Sequence, residues 1–157
     1  MMLKYTEIAL SHREVPGEIS LCIYISGCPN KCADCHYPEL QLTDYGDLLH
    51  LYFSDIVDLY FRQATCVCFL GEGKSGAEER GELAEYAGYA KSKGLKTCLY
   101  RGRDVEIEPW MNVFDMIKLG SYQPALGTLD CCTTNQRMYR KESESGIFTD
   151  ITNLFWD

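Results

Sequence analysis

Apolar positions along this chain change their period several times, and each change marks an element. Residues 5–12 and 18–26 read as two strands, with Val15-Pro16-Gly17 as the turn signal between them. The second of these, Ser20 to Ile25, is almost wholly apolar, which suits a strand buried on both faces as in a parallel sheet. Residues 47–63 carry Leu48, Leu51, Tyr52, Ile56, Leu59 and Tyr60 at helical spacing, with Asp44 or Asp47 available as a cap. Residues 64–70 form the next strand pattern and run into the glycine-rich stretch 71–76. A helix over 78–93 follows, with Leu83, Tyr86, Ala87 and Ala90 on its apolar face and Gly94 closing it.

Residues 95–101 are strand-like and stop at Gly102, 106–113 suit a short helix, and 114–119 form a further strand stopped by Gly120. Residues 123–136 are loop-like in composition, and 137–141 with 146–155 predict a closing hairpin with Phe148, Ile151 and Phe155 as its apolar positions. Strands alternating with helices, each strand ended by glycine, predict parallel βα units. In such folds ligands bind at the C-terminal ends of the strands. The loops after Ile25, Leu70, Tyr100 and Leu119 are therefore expected to share one rim.

Composition narrows the picture. The 157 residues suit one domain over 1–157 with room for a core. Lys and Arg number 15 against 23 Asp and Glu, a net charge of −8, which is the wrong sign for a nucleic-acid footprint. No apolar run reaches the roughly 20 residues of a membrane span. Residues 1–11 lack a signal-peptide apolar core, so the expected location is the cytoplasm.

Nine cysteines are many for such a chain, and the odd number with no regular framework argues against a disulfide scaffold. Cys22, Cys66, Cys68 and Cys98 fall in strand patterns, where free cysteine packs as a small apolar residue. Cys28, Cys32 and Cys35 instead crowd into Gly27-Cys28-Pro29-Asn30-Lys31-Cys32-Ala33-Asp34-Cys35-His36. Gly27, Pro29 and Asn30 favour a loop there. Thiolates so close repel one another unless a metal centre neutralises them, and three ligands leave a coordination position open. An iron–sulfur cluster fits this count. Zinc with His36 or Cys131-Cys132 as further ligands, and a thiol redox pair at Cys32 and Cys35, are the alternatives.

The Cys-x3-Cys-x2-Cys motif after the first buried strand resembles the signature of radical S-adenosylmethionine enzymes. Within that group the chain resembles the small activating proteins of anaerobic (class III) ribonucleoside-triphosphate reductase. The resemblance rests on Cys-x2-Cys-His-x-Pro-Glu-Leu at 32–40, Thr-Thr-Asn-Gln-Arg-Met-Tyr at 133–139, and Thr-Asp-Ile-Thr at 149–152 followed by Phe155-Trp156. It implies a truncated, partly open (βα) barrel of radical type, with an N-terminal strand pair and a C-terminal hairpin. It also implies that Cys28, Cys32 and Cys35 hold a [4Fe–4S] cluster whose free iron is chelated by S-adenosylmethionine. One electron then cleaves the sulfonium, and the 5′-deoxyadenosyl radical removes a hydrogen from a glycine of the reductase. The implied partners are that reductase and a reduced flavodoxin- or ferredoxin-type electron donor.

The same resemblance implies the remaining cofactor contacts. Gly71-Glu72 is similar to the Gly-Gly-Glu motif that meets the methionyl amine, although this chain has one glycine before the acid. Glycine lets backbone approach a ligand, and either its carbonyl or the carboxylate can accept from an ammonium. A plain strand-to-helix turn is the alternative. Asp115-Met-Ile-Lys118 resembles a strand whose lysine pairs with the cofactor carboxylate, the alternative being a strand-end lysine reaching water. Asp34 stands where many members have an aromatic residue beside the adenine, and its backbone can still serve. His36 is a candidate hydrogen-bond donor to the cluster region or a surface histidine. Tyr100 is a candidate for the ribose pocket or for packing. Gly73-Lys74-Ser75 ends like a phosphate-binding loop, but Cys68 occupies the position where that motif needs its first glycine.

The expected function is thus activation of the anaerobic reductase by reductive cleavage of S-adenosylmethionine. Two alternatives stay open: another small radical enzyme acting on a different protein or small molecule, and a non-catalytic metal-binding or electron-transfer module.

Overall fold

A computed structural model describes residues 3–26, 46–72, 76–102, 106–121 and 123–156. Its strands are β1 (Lys4–Ser11), β2 (Ser20–Ile25), β3 (Asp47–Leu48), β4 (Cys66–Leu70), β5 (Lys96–Tyr100), β6 (Met116–Leu119), β7 (Arg137–Lys141) and β8 (Phe148–Asp150). Its helices are α1 (Phe53–Tyr60) and α2 (Ala77–Ser92). All eight strands join one open sheet in the order β3-β1-β2-β4-β5-β6-β7-β8.

The middle of the sheet is parallel. β2, β4, β5 and β6 run the same way, while β1 and β7 flank them antiparallel. Every residue of β2 is buried, as a strand covered on both faces requires. Register then lines up side chains in rows across the strands. Cys22, Cys68, Cys98 and Met116 form one row, and Tyr24, Leu70, Tyr100 and Lys118 form the row nearer the C-terminal ends.

Period-two alternation divides the core between two faces. Leu21, Ile23, Ile25, Val67, Phe69, Leu99 and Ile117 face both helices, meeting Phe53, Ile56 and Val57 of α1 and Leu83, Tyr86, Ala87 and Ala90 of α2. Cys22, Tyr24, Cys66, Cys68, Cys98, Met116 and Met138 occupy the other face, covered by Val15, Leu129 and Ile151. The expected N-terminal strand pair, parallel middle and C-terminal hairpin are all present. The sheet is mixed and open.

The largest departure from expectation is at 47–63. Asp47 and Leu48 pair with β1, and the Leu49 amide donates to the Leu3 carbonyl at 2.9 Å. The chain then makes a 3-10 turn (Leu49–Leu51) before α1 starts at Phe53. Asp47 is therefore a strand residue, and α1 has Tyr52 at its N-cap with no side-chain cap. Asp44 lies outside the described residues. Leu51, Tyr52 and Leu59 are exposed, and Phe53, Ile56 and Val57 take the buried face. The expected helix at 106–113 is a 3-10 turn confined to Pro109–Val113. The closing hairpin is shorter than its pattern, since β8 ends at Asp150 and a 3-10 turn spans Thr152–Phe155.

Among the described residues no helix is long and apolar enough to cross a membrane.

Candidate functional site

Four parallel, adjacent strands must end together, and the ends of β2, β4, β5 and β6 form the rim expected from the sequence. Backbone contacts lock that rim. The Gly71 amide donates to the Tyr100 carbonyl at 3.0 Å, and the Arg101 amide donates to the Lys118 carbonyl at 2.8 Å. Ser26, the last described residue before the cysteine stretch, donates its amide to the Lys4 carbonyl at 3.0 Å. Cys28, Cys32, Asp34, Cys35 and His36 lie outside the described residues.

Gly71 leaves β4 at φ +114°, a conformation open to glycine and disfavoured elsewhere. A Cβ there would sit 3.0 Å from the Ile25 carbonyl oxygen and 3.3 Å from the Ile25 Cβ. The turn after β4 thus presses against the end of the strand from which the cysteine stretch departs.

Glu72 does not turn to water. Its Oε1 accepts from Arg101 Nε at 2.7 Å, and the two side chains are 4% and 2% exposed. At that burial, removing either partner is strongly destabilising. The same guanidinium also bonds Glu108, where Arg80 Nη2 stands 3.7 Å from the second carboxylate oxygen. The hydrogen bond from Arg101 holds the Glu108 carboxyl below its ordinary value. Trp110 lies under both arginines, with guanidinium-to-ring distances of 5.2 Å for Arg80 and 6.0 Å for Arg101.

Lys118 is buried at the end of β6. Its ammonium donates to the Gly120 carbonyl at 2.8 Å and sits 5.6 Å from the centre of the Tyr100 ring. Tyr100 donates its hydroxyl to the Glu14 carbonyl, and burial pushes the phenol well above its ordinary value, so it stays neutral. Tyr100 therefore ties the loop between β1 and β2 to the sheet while its ring lies beneath a cation.

The Thr-Thr-Asn-Gln-Arg stretch shapes the loop after β6. Thr133 Oγ1 donates to the Leu126 carbonyl at 2.7 Å and Thr134 Oγ1 to the Gly127 carbonyl at 3.0 Å. Asn135 Nδ2 donates to the Ser121 carbonyl at 3.0 Å. Gly120, at φ +104°, abuts the Gln136 Cα so closely that a Cβ would lie 3.0 Å away. Arg137 is instead a surface residue of β7, 3.7 Å from Asp150 on β8. In the Thr-Asp-Ile-Thr stretch, Asp150 Oδ1 accepts from the Thr152 amide, and Thr152 Oγ1 accepts from the Met138 amide, both at 2.9 Å.

Cys22, Cys66, Cys68 and Cys98 are fully buried thiols in the face opposite the helices, as expected for packing residues. Contact with Cys68, followed by burial, raises the Cys22 thiol; burial raises Cys66, Cys68 and Cys98. All four remain protonated at neutral pH. Cys131 and Cys132 are exposed. Among the described residues, no group of three or more His, Cys, Asp and Glu is arranged to hold a metal ion.

Gly71, Glu72, Tyr100 and Lys118 thus fall on one rim, knitted by β5. Pattern reading missed Arg101 as their link. The available signal was a pair of opposite charges one or two residues past the ends of two apolar strands, at Glu72 and Arg101. Comparison with known proteins found no matching family model, no matching curated protein and no matching solved structure.

Proposed function

We propose that this protein is a radical S-adenosylmethionine activating enzyme that installs a glycyl radical on an anaerobic ribonucleoside-triphosphate reductase. On this reading the open sheet is a truncated barrel, and Cys28, Cys32 and Cys35 hold the cluster beside its rim. The observation that carries the reading is the Cys-x3-Cys-x2-Cys motif directly after β2, whose end meets Gly71.

The described residues suit S-adenosylmethionine in two respects. Gly71, pressed against the end of β2, has no side chain to shield its backbone from an ammonium group. Lys118 supplies a buried cation two strands away for a carboxylate, once exchanged from the Gly120 carbonyl. When bound, the reduced cluster and S-adenosylmethionine supply the radical chemistry; the protein orients the ligand and keeps other hydrogen donors away. Tyr100, with its hydroxyl committed to Glu14, lays its ring beside the Lys118 ammonium.

The test is anaerobic reconstitution with iron and sulfide, reduction, and addition of S-adenosylmethionine. The reading expects iron–sulfur absorbance and release of 5′-deoxyadenosine, both lost when Cys28, Cys32 or Cys35 is replaced by serine. With the reductase present, a glycyl-radical doublet is expected by electron paramagnetic resonance. Cleavage without the doublet would move the substrate to a different protein or small molecule. Failure of the parent chain to bind iron would end the radical reading.

A further inference from the structure

Opposite charges that are both inside a protein must have been placed there together, and the Glu72–Arg101 pair has a consequence for ligand recognition. We propose that Arg101 is a positioning residue for the rim. Its guanidinium holds the Glu72 carboxylate inward, so that the Gly71–Glu72 turn offers backbone carbonyls, rather than the Glu72 side chain, to the ammonium of an amino-acid ligand. The inference rests on the reading of Gly71–Glu72 as a cofactor contact.

Three observations lead to it. The 2.7 Å contact joins side chains only 4% and 2% exposed, so swinging Glu72 toward a ligand would strip a buried guanidinium of one of its two carboxylates. The guanidinium is itself fixed by Glu108 and by the Trp110 ring, so it cannot follow. Finally, β5 holds both neighbours of the proposed ligand by backbone: Tyr100 accepts from Gly71, and Arg101 donates to the carbonyl of Lys118. One strand end therefore sets the distance between a group suited to an ammonium and a cation suited to a carboxylate, the two ends of an amino-acid moiety.

The test uses the full chain, anaerobically reconstituted, with Arg101→Gln, Glu72→Gln and the double variant. Thermal midpoints are measured alongside S-adenosylmethionine binding by equilibrium dialysis, the latter well below any midpoint. Arg101→Gln takes the guanidinium of Arg101 from a buried carboxylate, and is expected to lower the midpoint most and weaken binding about tenfold, the scale of one lost charge-assisted contact. Glu72→Gln keeps binding within about threefold of the parent, because the backbone still meets the ammonium. The double variant recovers both midpoint and affinity relative to Arg101→Gln.

Two results would overturn the proposal. Binding lost about tenfold or more in Glu72→Gln and equally in the double variant would make the Glu72 carboxylate the ligand contact. A double variant no more stable than Arg101→Gln would remove the clamp. If the parent chain itself binds no S-adenosylmethionine, the cofactor reading falls and the ligand role of the turn falls with it. The midpoints still decide whether Arg101 and Glu72 act as a unit.

Discussion

The position a Cβ would take on Gly71 lies 3.0 Å from the carbonyl oxygen of Ile25. Sequence distance between the two residues is large, yet no side chain fits between them. Gly71→Ala meets that carbonyl while also adopting φ +114° with a Cβ present. The expected cost is about 1–3 kcal/mol, read as a lower urea midpoint at unchanged slope. Gly17→Ala, also at positive φ but with open space around it, is the control and should cost less. Equal costs would show that the approach to Ile25 is unimportant.

Buried, protonated thiols do not react, because the thiolate is the nucleophile. Brief iodoacetamide treatment of the native protein, followed by peptide mass mapping, should leave Cys22, Cys66, Cys68 and Cys98 unmodified and label Cys131 and Cys132. Labelling of the four strand cysteines at the rate seen in urea would contradict their burial.

Glu108 gives stability a defined dependence on acid. Its carboxyl is held below the ordinary 4.5 by the hydrogen bond from Arg101, with Arg80 adding to the effect. A lowered carboxyl contributes stability that is present above its unfolded value and lost as pH falls through its folded value. The thermal midpoint should therefore drop below about pH 4.5. Asp58, lowered by the Tyr89 hydroxyl and Lys93, contributes in the same direction. Glu108→Gln should flatten part of the acid slope, and an unchanged slope would rule out this linkage.

The helix-side core turns on Phe53. Its ring stacks on Tyr86 at 4.3 Å and on Phe69 at 5.8 Å. Phe53→Ala opens a cavity among side chains that cannot collapse onto it, at an expected cost of about 3–5 kcal/mol. Leu59→Ala, on the exposed side of the same helix, should change stability by no more than about 0.5 kcal/mol. Chemical denaturation of both variants checks the assignment of the buried face.

That face marks a limit of pattern reading. Between 48 and 60 two helical stripes are apolar: Leu48, Leu51, Tyr52 and Leu59 on one, Leu49, Phe53, Ile56, Val57 and Tyr60 on the other. Periodicity cannot rank them. The sheet does, because Leu48 pairs with Lys4 and Leu49 bonds Leu3, which delays the start of the helix to Phe53 and sets its rotation. α2 had a single apolar stripe, so its face was legible. Even there the pattern hid Glu82, buried on that face because its carboxylate accepts from the Leu3 amide at 3.1 Å and from the Tyr86 hydroxyl.

By itself the sequence determined what depends on neighbours along the chain. This includes the strands and their glycine stops, the α2 stripe, the packing role of four cysteines, and the spacing of Cys28, Cys32 and Cys35. Tertiary structure decided what depends on neighbours across the sheet. Gly71 must be glycine because Ile25 is beside it, Lys118 lies over Tyr100 because β5 and β6 are paired, and Glu72 is held inward because β5 delivers Arg101 to it. Local pattern encodes which residues are apolar and where the chain turns. The partner of a buried charge is set by strand order, which no local window contains.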